Sequence, residues 1–550
     1  MSETSARVTL VQPSDGVCYW EGRTTKRMPL GLAYIAASCV KAGHEVMVVD
    51  ASLHDLSIDQ TVELALKNDP HVIGLTCTTP LYHQAVEIIS RIKKLSPRTV
   101  IVVGGPHVSA LPQATLETSE TDFVCIGEGE ESMPAIIDCV MKGEDPSKIV
   151  GIAYNWETHQ GQSQTRRNKV GERDRVKFAP PFDLNIMPIP ARELFEYAEY
   201  HDMSRGKVGA QTGAMFSRGC PGKCAFCGAA DTIVRWRAVE NVLDEMQVIE
   251  KLGIPNLFVM DDTFTVNRQR VLKLSRGIVE RGIKLNISVQ LRLDQIDKEV
   301  CDAMYASGIR YVHPGIESGN ETIIKAIGKG PKESKEHMRT KIRLLQQYDW
   351  TVRCSYVFGM PGETEDQILE TIDFAAELGA DENAFSLLVP YPDSPLWAYA
   401  KRQGKVHDKM DFSNFLYYHK IGCNLSAVPT DRLLALHEFA YDYVGNPAYN
   451  FTDSSISSGN RPHIPANVLK RNDEREASAP LNPTKDYQRV SRVERTTDNC
   501  VTDGHESSET RKGDGNTASP SGVRMSAKEA FAVYLEKHPI GTIEEKSVLA

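Results

Sequence analysis

Short apolar runs alternate with amphipathic helical runs along most of the chain, and this alternation restricts the fold more than any other feature. Over residues 6–150 it predicts five strands separated by helices, the pattern of a parallel α/β sheet. In an open sheet of this kind, a ligand binds at the carboxyl ends of the strands. Those ends are polar and rich in glycine: Gln12-Pro13-Ser14, Thr76-Cys77-Thr78-Thr79, Gly104-Gly105-Pro106-His107 and Gly127-Glu128-Gly129-Glu130.

The alternation returns over residues 211–395, where six apolar runs are separated by helical patterns. In the helical pattern AVENVLDEMQVIEKLG, the apolar residues fall on a single face. Six β/α units predict a barrel or three-quarter barrel, with its chemistry at the carboxyl ends of the strands. The six runs are GAMFSRG, NLFVMDD, NISVQLR, IRYVHPGIES, VRCSYVFGM and NAFSLLVP.

The predicted fold class is therefore α/β. An open, doubly wound parallel sheet is followed by a linker, a partial (β/α)6 barrel, a helical extension and a mostly disordered C-terminal tail. We expect the ligand edge of the sheet to face the mouth of the barrel. In chain order, the predicted bounds of these five parts are 1–150, 151–205, 206–395, 396–450 and 451–550.

The tail differs from the rest in composition. Between Thr452 and Met525 it contains a single aromatic residue, Tyr487. Ordering a residue costs ~1–2 kcal/mol of backbone entropy, which so little apolar surface does not offset. A short helix is predicted from Ser526 to Glu536, either docked on the protein or free of it.

The composition indicates a cytoplasmic enzyme. Of the 550 residues 41% are hydrophobic and 25% charged, and the net charge of -10 argues against nucleic acid as a partner. No run approaches the ~20 apolar residues of a membrane helix, and the N-terminus lacks a secretory pattern. Nine of the 12 cysteines are scattered, as in reduced cytosolic proteins. We expect no membrane partner.

The other three cysteines, Cys220, Cys224 and Cys227, form the C-x3-C-x2-C stretch SRGCPGKCAFCG. A structural zinc site needs four ligands. Between this stretch and Val312 the sequence contains no histidine and one further cysteine, Cys301. Zinc with a remote fourth ligand is still an alternative. A redox pair of the last two cysteines would leave the first unused. An iron–sulfur cluster fits better, because three thiolates on four irons leave one iron open, as in a catalytic metal site.

With Phe226 before the last cysteine, this motif resembles that of the radical S-adenosylmethionine (radical SAM) enzymes, and the resemblance covers about 211–395. It implies that the three cysteines are the catalytic ligands of a [4Fe-4S] cluster, and that SAM contacts lie at the ends of later strands. The family's Gly-Gly-Glu motif is replaced here by Asp261-Asp262. For each strand end, the alternative is a simple turn without a binding role. The implied SAM-binding residues are Phe226, Asp261, Asp262, Glu317, Ser318, Gly359 and Pro361.

The first domain is similar to the cobalamin-binding domain of one large radical SAM class, through MPLGL, VGGPH and GEGEE. Better-known cobalamin domains carry D-x-H-x-x-G, whose histidine binds cobalt; the nearest stretch here, Asp50–Asp55, has different spacing and no glycine. His107 follows a strand, where we expect it to be exposed, as a loop hydrogen-bonder or as a cobalt ligand. A domain without corrinoid stays an alternative. The implied cobalamin-binding residues are Thr76, Thr78, Gly104, Gly105, His107, Gly127 and Glu128.

Together the resemblances imply a class B-like, cobalamin-dependent radical SAM methyltransferase. In such enzymes the reduced cluster cleaves SAM to a 5′-deoxyadenosyl radical, which abstracts hydrogen from the substrate, and cobalamin supplies a methyl group. We expect a small-molecule substrate methylated at an unactivated carbon or phosphorus, and an electron donor such as flavodoxin or ferredoxin.

Three other functions are weighed against methylation. They are a cobalamin-associated cyclase or rearrangement enzyme, a tRNA methylthiolase, and a non-catalytic iron–sulfur or corrinoid carrier or sensor. The methylthiolase is disfavoured because the N-terminal domain has no second cysteine trio and the tail is not basic.

Overall fold

The computed structural model describes residues 5–14, 26–155, 182–201, 209–329, 334–444 and 525–540. The fold reported below is that of the compact unit formed by the described parts of residues 1–449 and 527–550. Except for residues 525–540, the predicted disordered tail lies outside the described residues.

The N-terminal domain is an open six-stranded sheet with the order β2-β1-β3-β4-β5-β6. The first five strands are parallel, and β6 is antiparallel to β5. The strands are rich in buried valine, isoleucine and leucine, as expected where helices cover both faces of a sheet. The strands are β1 (Arg7–Gln12), β2 (Glu45–Asp50), β3 (Val72–Thr76), β4 (Val100–Gly104), β5 (Phe123–Cys125) and β6 (Ile152–Tyr154).

Helices cover this sheet on both faces, as the sequence predicts for a doubly wound fold. One begins at a capping box in which Ser57 and Gln60 bond each other's backbone N–H, and another ends at Gly143, whose φ of 65° favours glycine. The helices are α1 (Leu30–Lys41), α2 (Ile58–Leu66), α3 (Tyr82–Leu95), α4 (Pro106–Ala110), α5 (Pro112–Thr118) and α6 (Ser132–Lys142).

The second domain contains a six-stranded, all-parallel sheet with the order β14-β13-β12-β11-β10-β7. Six consecutive parallel strands agree with the predicted partial (β/α)6 barrel. A separate two-stranded antiparallel ribbon, β8–β9, lies beside it. The strands are β7 (Gln211–Ala214), β8 (Ser217–Arg218), β9 (Arg235–Trp236), β10 (Asn256–Val259), β11 (Asn286–Leu291), β12 (Ile309–Glu317), β13 (Thr351–Phe358) and β14 (Glu382–Leu387).

Helices follow the strands of this domain. Several are capped by side chains that accept from the first turn, as Asn267 does from the N–H of Arg270. The helices are α7 (Val239–Lys251), α8 (Arg268–Glu280), α9 (Lys298–Ala306), α10 (Glu321–Ala326), α11 (Lys335–Leu345) and α12 (Glu365–Leu378).

The first predicted barrel strand, GAMFSRG, is not continuous. It is split into β7 and β8 because the backbone N–H groups of Phe216 and Ser217 turn away from the sheet to the carboxylate of Asp261. This break directs the chain out of the sheet immediately before the first cysteine.

The helical extension consists of α13 (Pro395–Arg402), a segment without helices or strands, and α14 (Thr430–Val444). The C-terminal helix α15 (Ala527–Lys537) packs on α12 and α14, where the rings of Phe531 and Phe439 lie 5.0 Å apart. The predicted terminal helix is therefore docked. None of the described helices is long and apolar enough to cross a bilayer.

Candidate functional site

The cysteine loop, defined here as residues 219–228, follows β8 and is the first part of the connection to β9. It begins with Gly219 at φ 99°, where a side chain would collide with the carbonyl of Ile233. All three cysteines are half-buried. A Cβ at Gly222 would lie 3.2 Å from the Sγ of Cys220 and 4.0 Å from that of Cys224. These two thiols therefore lie on the same side of the loop.

Two cations lie close enough to Cys224 to act on its thiol. Burial raises the pKa of Cys224 to about 11, while the nearby cations Lys329 and Arg292 act in the opposite direction. Such cations stabilise a thiolate, and the N–H of Gly222 donates to the Sγ of Cys220 at 3.4 Å. In the described residues no three Cys, His, Asp or Glu side chains converge on one ion. Thiolates on separate irons of a cluster do not need to converge, so the loop fits a [4Fe-4S] cluster.

Asp261 and Asp262 follow β10 and both bind the chain around the cysteine loop. Asp261 is buried, and its Oδ1 and Oδ2 accept from the N–H and hydroxyl of Ser217 at 2.9 and 2.6 Å. Asp262 accepts from the N–H of Gly219 at 2.9 Å but is itself exposed. Of the two predicted SAM contacts, Asp262 therefore has the freer carboxylate.

Glu317, at the end of β12, has a φ of 68°, which is rare for a residue with a side chain. Its Oε1 lies 3.4 Å from the Nζ of Lys329, and both charges act on Cys224. This places Glu317 beside the cysteine loop, in a strained conformation typical of functional sites. Ser318 points elsewhere: it is fully buried and bonds the hydroxyl of Thr371 at 3.1 Å.

Gly359 and Pro361 form the turn after β13, which is held by Glu363. The Oε2 of Glu363 accepts from the N–H groups of Gly359 and Met360 at 2.7 and 3.0 Å. Phe226, in the cysteine loop, packs against the apolar cluster that includes Met360. The two predicted SAM-binding segments therefore share one apolar cluster, while their contacts with SAM stay predictions.

At the ligand edge of the N-terminal sheet, Thr76, Thr78 and Gly104 end neighbouring strands. Gly105 has a φ of 105°, and a Cβ there would lie 2.6 Å from the carbonyl of Cys77. The Thr78 Oγ1 is buried and has no hydrogen-bond partner among the described residues. An edge with little side-chain bulk and an unused hydroxyl fits a large polar ligand such as cobalamin.

His107 is not exposed, contrary to the prediction. Its side chain is 1% exposed, and its ring lies 4.3 Å from that of Tyr82 and 4.7 Å from that of Phe412. Its Nδ1 is 3.2 Å from the hydroxyl of Thr79. The prediction was wrong because α4 begins at Pro106 and turns the ring inward, where the helical extension covers it. Burial lowers its pKa to about 4.

Gly127 and Glu128 begin the acidic loop, defined here as residues 127–131. The N–H of Gly127 donates to the hydroxyl of Ser109 at 2.9 Å. Glu128 forms ion pairs with Arg218 and Arg235, which flank the cysteine loop in the chain. Its carboxylate is thus already bound by the second domain.

Sequence reasoning named Glu130 only as part of a polar strand end, and it missed three charged residues of the site: Arg218, Arg235 and Lys329. Their partners are between 12 and 107 positions away in the chain. One sequence signal was available, since Arg218 stands two residues before the first cysteine. Nothing in the sequence, however, identifies its partners.

Comparison with known families gives one match for the first domain, which contains the ligand edge, and one for the second domain, which contains the cysteine loop. Residues 24–137 match the B12 binding domain, and residues 215–375 match the radical SAM superfamily. Both matched ranges include the strand ends described above. The two predicted resemblances are therefore confirmed.

Three curated relatives span most of the chain. An uncharacterised methyltransferase of Pyrococcus horikoshii is 32% identical and covers 68% of this chain and 78% of its own. The cytidylyl-2-hydroxyethylphosphonate methyltransferase of Streptomyces wedmorensis is 26% identical and covers 71% of this chain and 80% of its own. The anaerobic magnesium-protoporphyrin IX monomethyl ester cyclase of Rubrivivax gelatinosus is 24% identical, with coverage of 71% and 68%.

Two solved structures share the fold. The radical SAM methyltransferase TsrM of Kitasatospora setae, with cobalamin and a [4Fe-4S] cluster bound, has a TM-score of 0.57 and 21% identity over 72% of this chain and 75% of its own. The cobalamin-dependent radical SAM enzyme OxsB has a TM-score of 0.62 and 18% identity over 89% of this chain and 75% of its own. Cobalamin, a [4Fe-4S] cluster and SAM, the predicted cofactors, are those of this group of enzymes. The chain therefore belongs to the radical SAM enzymes that carry an N-terminal cobalamin-binding domain.

Proposed function

We propose that this protein methylates an unactivated carbon, or a phosphorus, of a small-molecule substrate. One observation supports this proposal above the others: the acidic loop at the ligand edge of the first domain is ion-paired to Arg218, two residues before Cys220. A methyl donor bound at that edge would be adjacent to the site where a substrate radical forms.

Each part of the chain then has a physical task. The cysteine loop binds the cluster through Cys220, Cys224 and Cys227. The reduced cluster supplies the electron that cleaves SAM. In this proposal, Asp262 and Glu317 bind the polar groups of SAM, and the turn of Gly359 and Pro361 contacts its adenine. The strand ends of the first domain hold cobalamin. Positioning of these groups and exclusion of water are the main contributions of the protein.

An acidic electron donor such as flavodoxin or ferredoxin is part of this proposal. Lys223 lies between two of the cysteines and is exposed, and its carbonyl lies against Gly328. Lys325, also exposed, is one turn before that glycine. The two lysines give the outer side of the cysteine loop a positive charge that an acidic partner would recognise.

A cyclase is the second candidate, because a relative with that activity covers 71% of the chain. Product mass distinguishes the two reactions. Reconstituted protein is incubated anaerobically with reductant, SAM bearing a trideuterated methyl group, and the small-molecule fraction of a cell extract. We expect a product that carries the three deuterium atoms; a consumed substrate whose product lacks them would favour cyclisation or rearrangement and contradict methylation.

A further inference from the structure

Two arginines connect the acidic loop to the cysteine loop. Arg218 places Nη1 2.9 Å from the Oε1 of Glu128 and also forms an ion pair with Glu130. Arg235 pairs with Glu128 and donates to the carbonyl of Phe182 at 2.8 Å. Two carboxylates of the first domain are thus bound by two guanidinium groups of the second.

The ion pair between Arg218 and Glu130 is largely shielded from water. The side chain of Glu130 is 5% exposed and that of Arg218 is 15% exposed. Charge-assisted hydrogen bonds at such partly buried sites are much less screened than surface pairs. Glu128 is fixed further, because its Oε2 accepts from the N–H of Phe182 at 3.0 Å.

The arginines are also rigidly joined to the cysteines. Arg218 and Arg235 are opposite each other in the two-stranded ribbon β8–β9. The chain passes from Arg218 through Gly219 directly to Cys220, whose N–H donates to the hydroxyl of Thr232 at 2.9 Å on the returning side of the loop. A displacement of the acidic loop would therefore move the ribbon and the first cysteine with it.

On the other side, the acidic loop directly follows β5, at the carboxyl edge where the first domain binds its cofactor. One guanidinium therefore connects the acidic loop at that edge with the residue two positions before Cys220. We propose that Arg218 is a positioning residue, which fixes the distance between bound cobalamin and the cluster by holding Glu128 and Glu130. The positioning role of Arg218 rests on the proposed function, but the distance between cobalamin and the cluster is measurable without turnover.

The test uses Arg218→Lys and Glu130→Gln in the full-length protein. Lysine keeps the charge but lacks the planar fork that reaches two carboxylates, and glutamine keeps the shape of glutamate without its charge. Glu377→Gln is the matched control, since its partner Arg339 also forms a carboxylate pair but far from the site, on the exposed faces of α11 and α12.

The first readout is electron paramagnetic resonance of protein containing cob(II)alamin and the reduced cluster. The magnetic interaction between the two centres falls with the cube of their separation, so it reports the distance directly. We expect clear relaxation enhancement of the cobalt signal in the wild type and the control, and at least a twofold weaker enhancement in both site variants. An equal enhancement in all four proteins, or none in the wild type, would overturn the proposal.

The second readout is hydrogen–deuterium exchange of the cofactor-free protein. We expect exchange over residues 126–132 to be accelerated about tenfold in the two site variants and unchanged in the control, since local opening is governed by the contacts that hold a segment. Unchanged exchange would show that the ion pairs do not hold the loop, which also contradicts the proposal. A wild type with normal coupling but no methylated product would contradict the proposed function alone.

Discussion

Asp261 and Ser217 are joined by two hydrogen bonds, one from the backbone N–H and one from the hydroxyl of the serine, at 2.9 and 2.6 Å. The same carboxylate accepts from the N–H of Phe216 at 2.6 Å. Asp261 thereby ends the first barrel strand early and sends the chain into the cysteine loop. Sequence resemblance suggests that this residue binds SAM, whereas its contacts indicate that it shapes the loop.

Substitution of Asp261 separates these two roles. Asp261→Ala leaves two buried N–H groups without an acceptor, which costs about 1–3 kcal/mol each, so we expect lower stability to urea and reduced iron uptake on anaerobic reconstitution. Asp261→Asn retains an acceptor oxygen and is expected to take up iron like the wild type. If the asparagine variant binds a full complement of iron but has lost its affinity for SAM, the binding role is correct and the loop-shaping role is not the main one.

The buried carboxyl of Glu363 is expected to make the stability of the protein depend on pH. Burial raises its pKa from 4.5 to about 7, against the effect of the two backbone N–H groups that it accepts from. A pKa that is higher in the folded state stabilises the fold below pH 4.5, and this contribution is lost as the pH rises through 7. Between pH 5 and 8 the carboxyl is expected to remove about 2–3 kcal/mol of unfolding free energy, at 1.36 kcal/mol per pKa unit.

The check is urea unfolding of the cofactor-free wild type and Glu363→Gln at several pH values. The difference in unfolding free energy should shift in favour of the glutamine variant by that amount between pH 5 and 8. Parallel pH profiles for the two proteins would mean that the carboxyl titrates normally.

A buried ion triad joins the segment before the barrel to its first helix. Glu245 is fully buried and bonds Arg192 at 2.7 Å and also Arg237. Glu245→Gln removes the carboxylate charge that both buried guanidinium groups contact, so we expect a loss of about 3–5 kcal/mol of unfolding free energy. The exposed pair of Glu377 provides the control, where the same change should cost at most about 1 kcal/mol. Similar losses in both variants would contradict the importance of burial.

Because the ring of His107 is buried, we expect that this residue does not coordinate the cobalt of cobalamin. Packed between Tyr82 and Phe412, it is not free to reach a ligand at the sheet edge. The paramagnetic resonance spectrum of bound cob(II)alamin should therefore show no nitrogen splitting from histidine, and His107→Phe should leave it unchanged. Nitrogen splitting that disappears in His107→Phe would identify the residue as the lower ligand after all.

The strand-helix alternation was sufficient to predict both sheets, because strands buried on both faces are continuous apolar runs bounded by turns. It missed β6, since the three-residue run Ile152–Tyr154 does not differ from a loop in sequence. It also joined β7 and β8, because the acceptor that separates them, Asp261, is distant in sequence and its hydrogen bonds are not encoded locally.

The candidate site was predictable to a similar extent. The cysteine motif and the glycine-rich strand ends are local patterns, and the sequence contains them in full. The partners of Arg218 and Lys329 and the burial of His107 depend on how elements pack. Packing determines which charges meet, so these features required the structure.

The central claim is that the cysteine loop binds a cluster that cleaves SAM beside bound cobalamin. It is tested most directly by reconstituting the wild type and Cys224→Ala anaerobically with iron, sulfide and cobalamin, adding a chemical reductant and SAM, and quantifying 5′-deoxyadenosine. Cys139→Ala, which removes a buried thiol of α6 in the first domain, is the control. We predict 5′-deoxyadenosine from the wild type and the control and none from Cys224→Ala; a wild type with full iron and cobalamin that forms none would contradict the account.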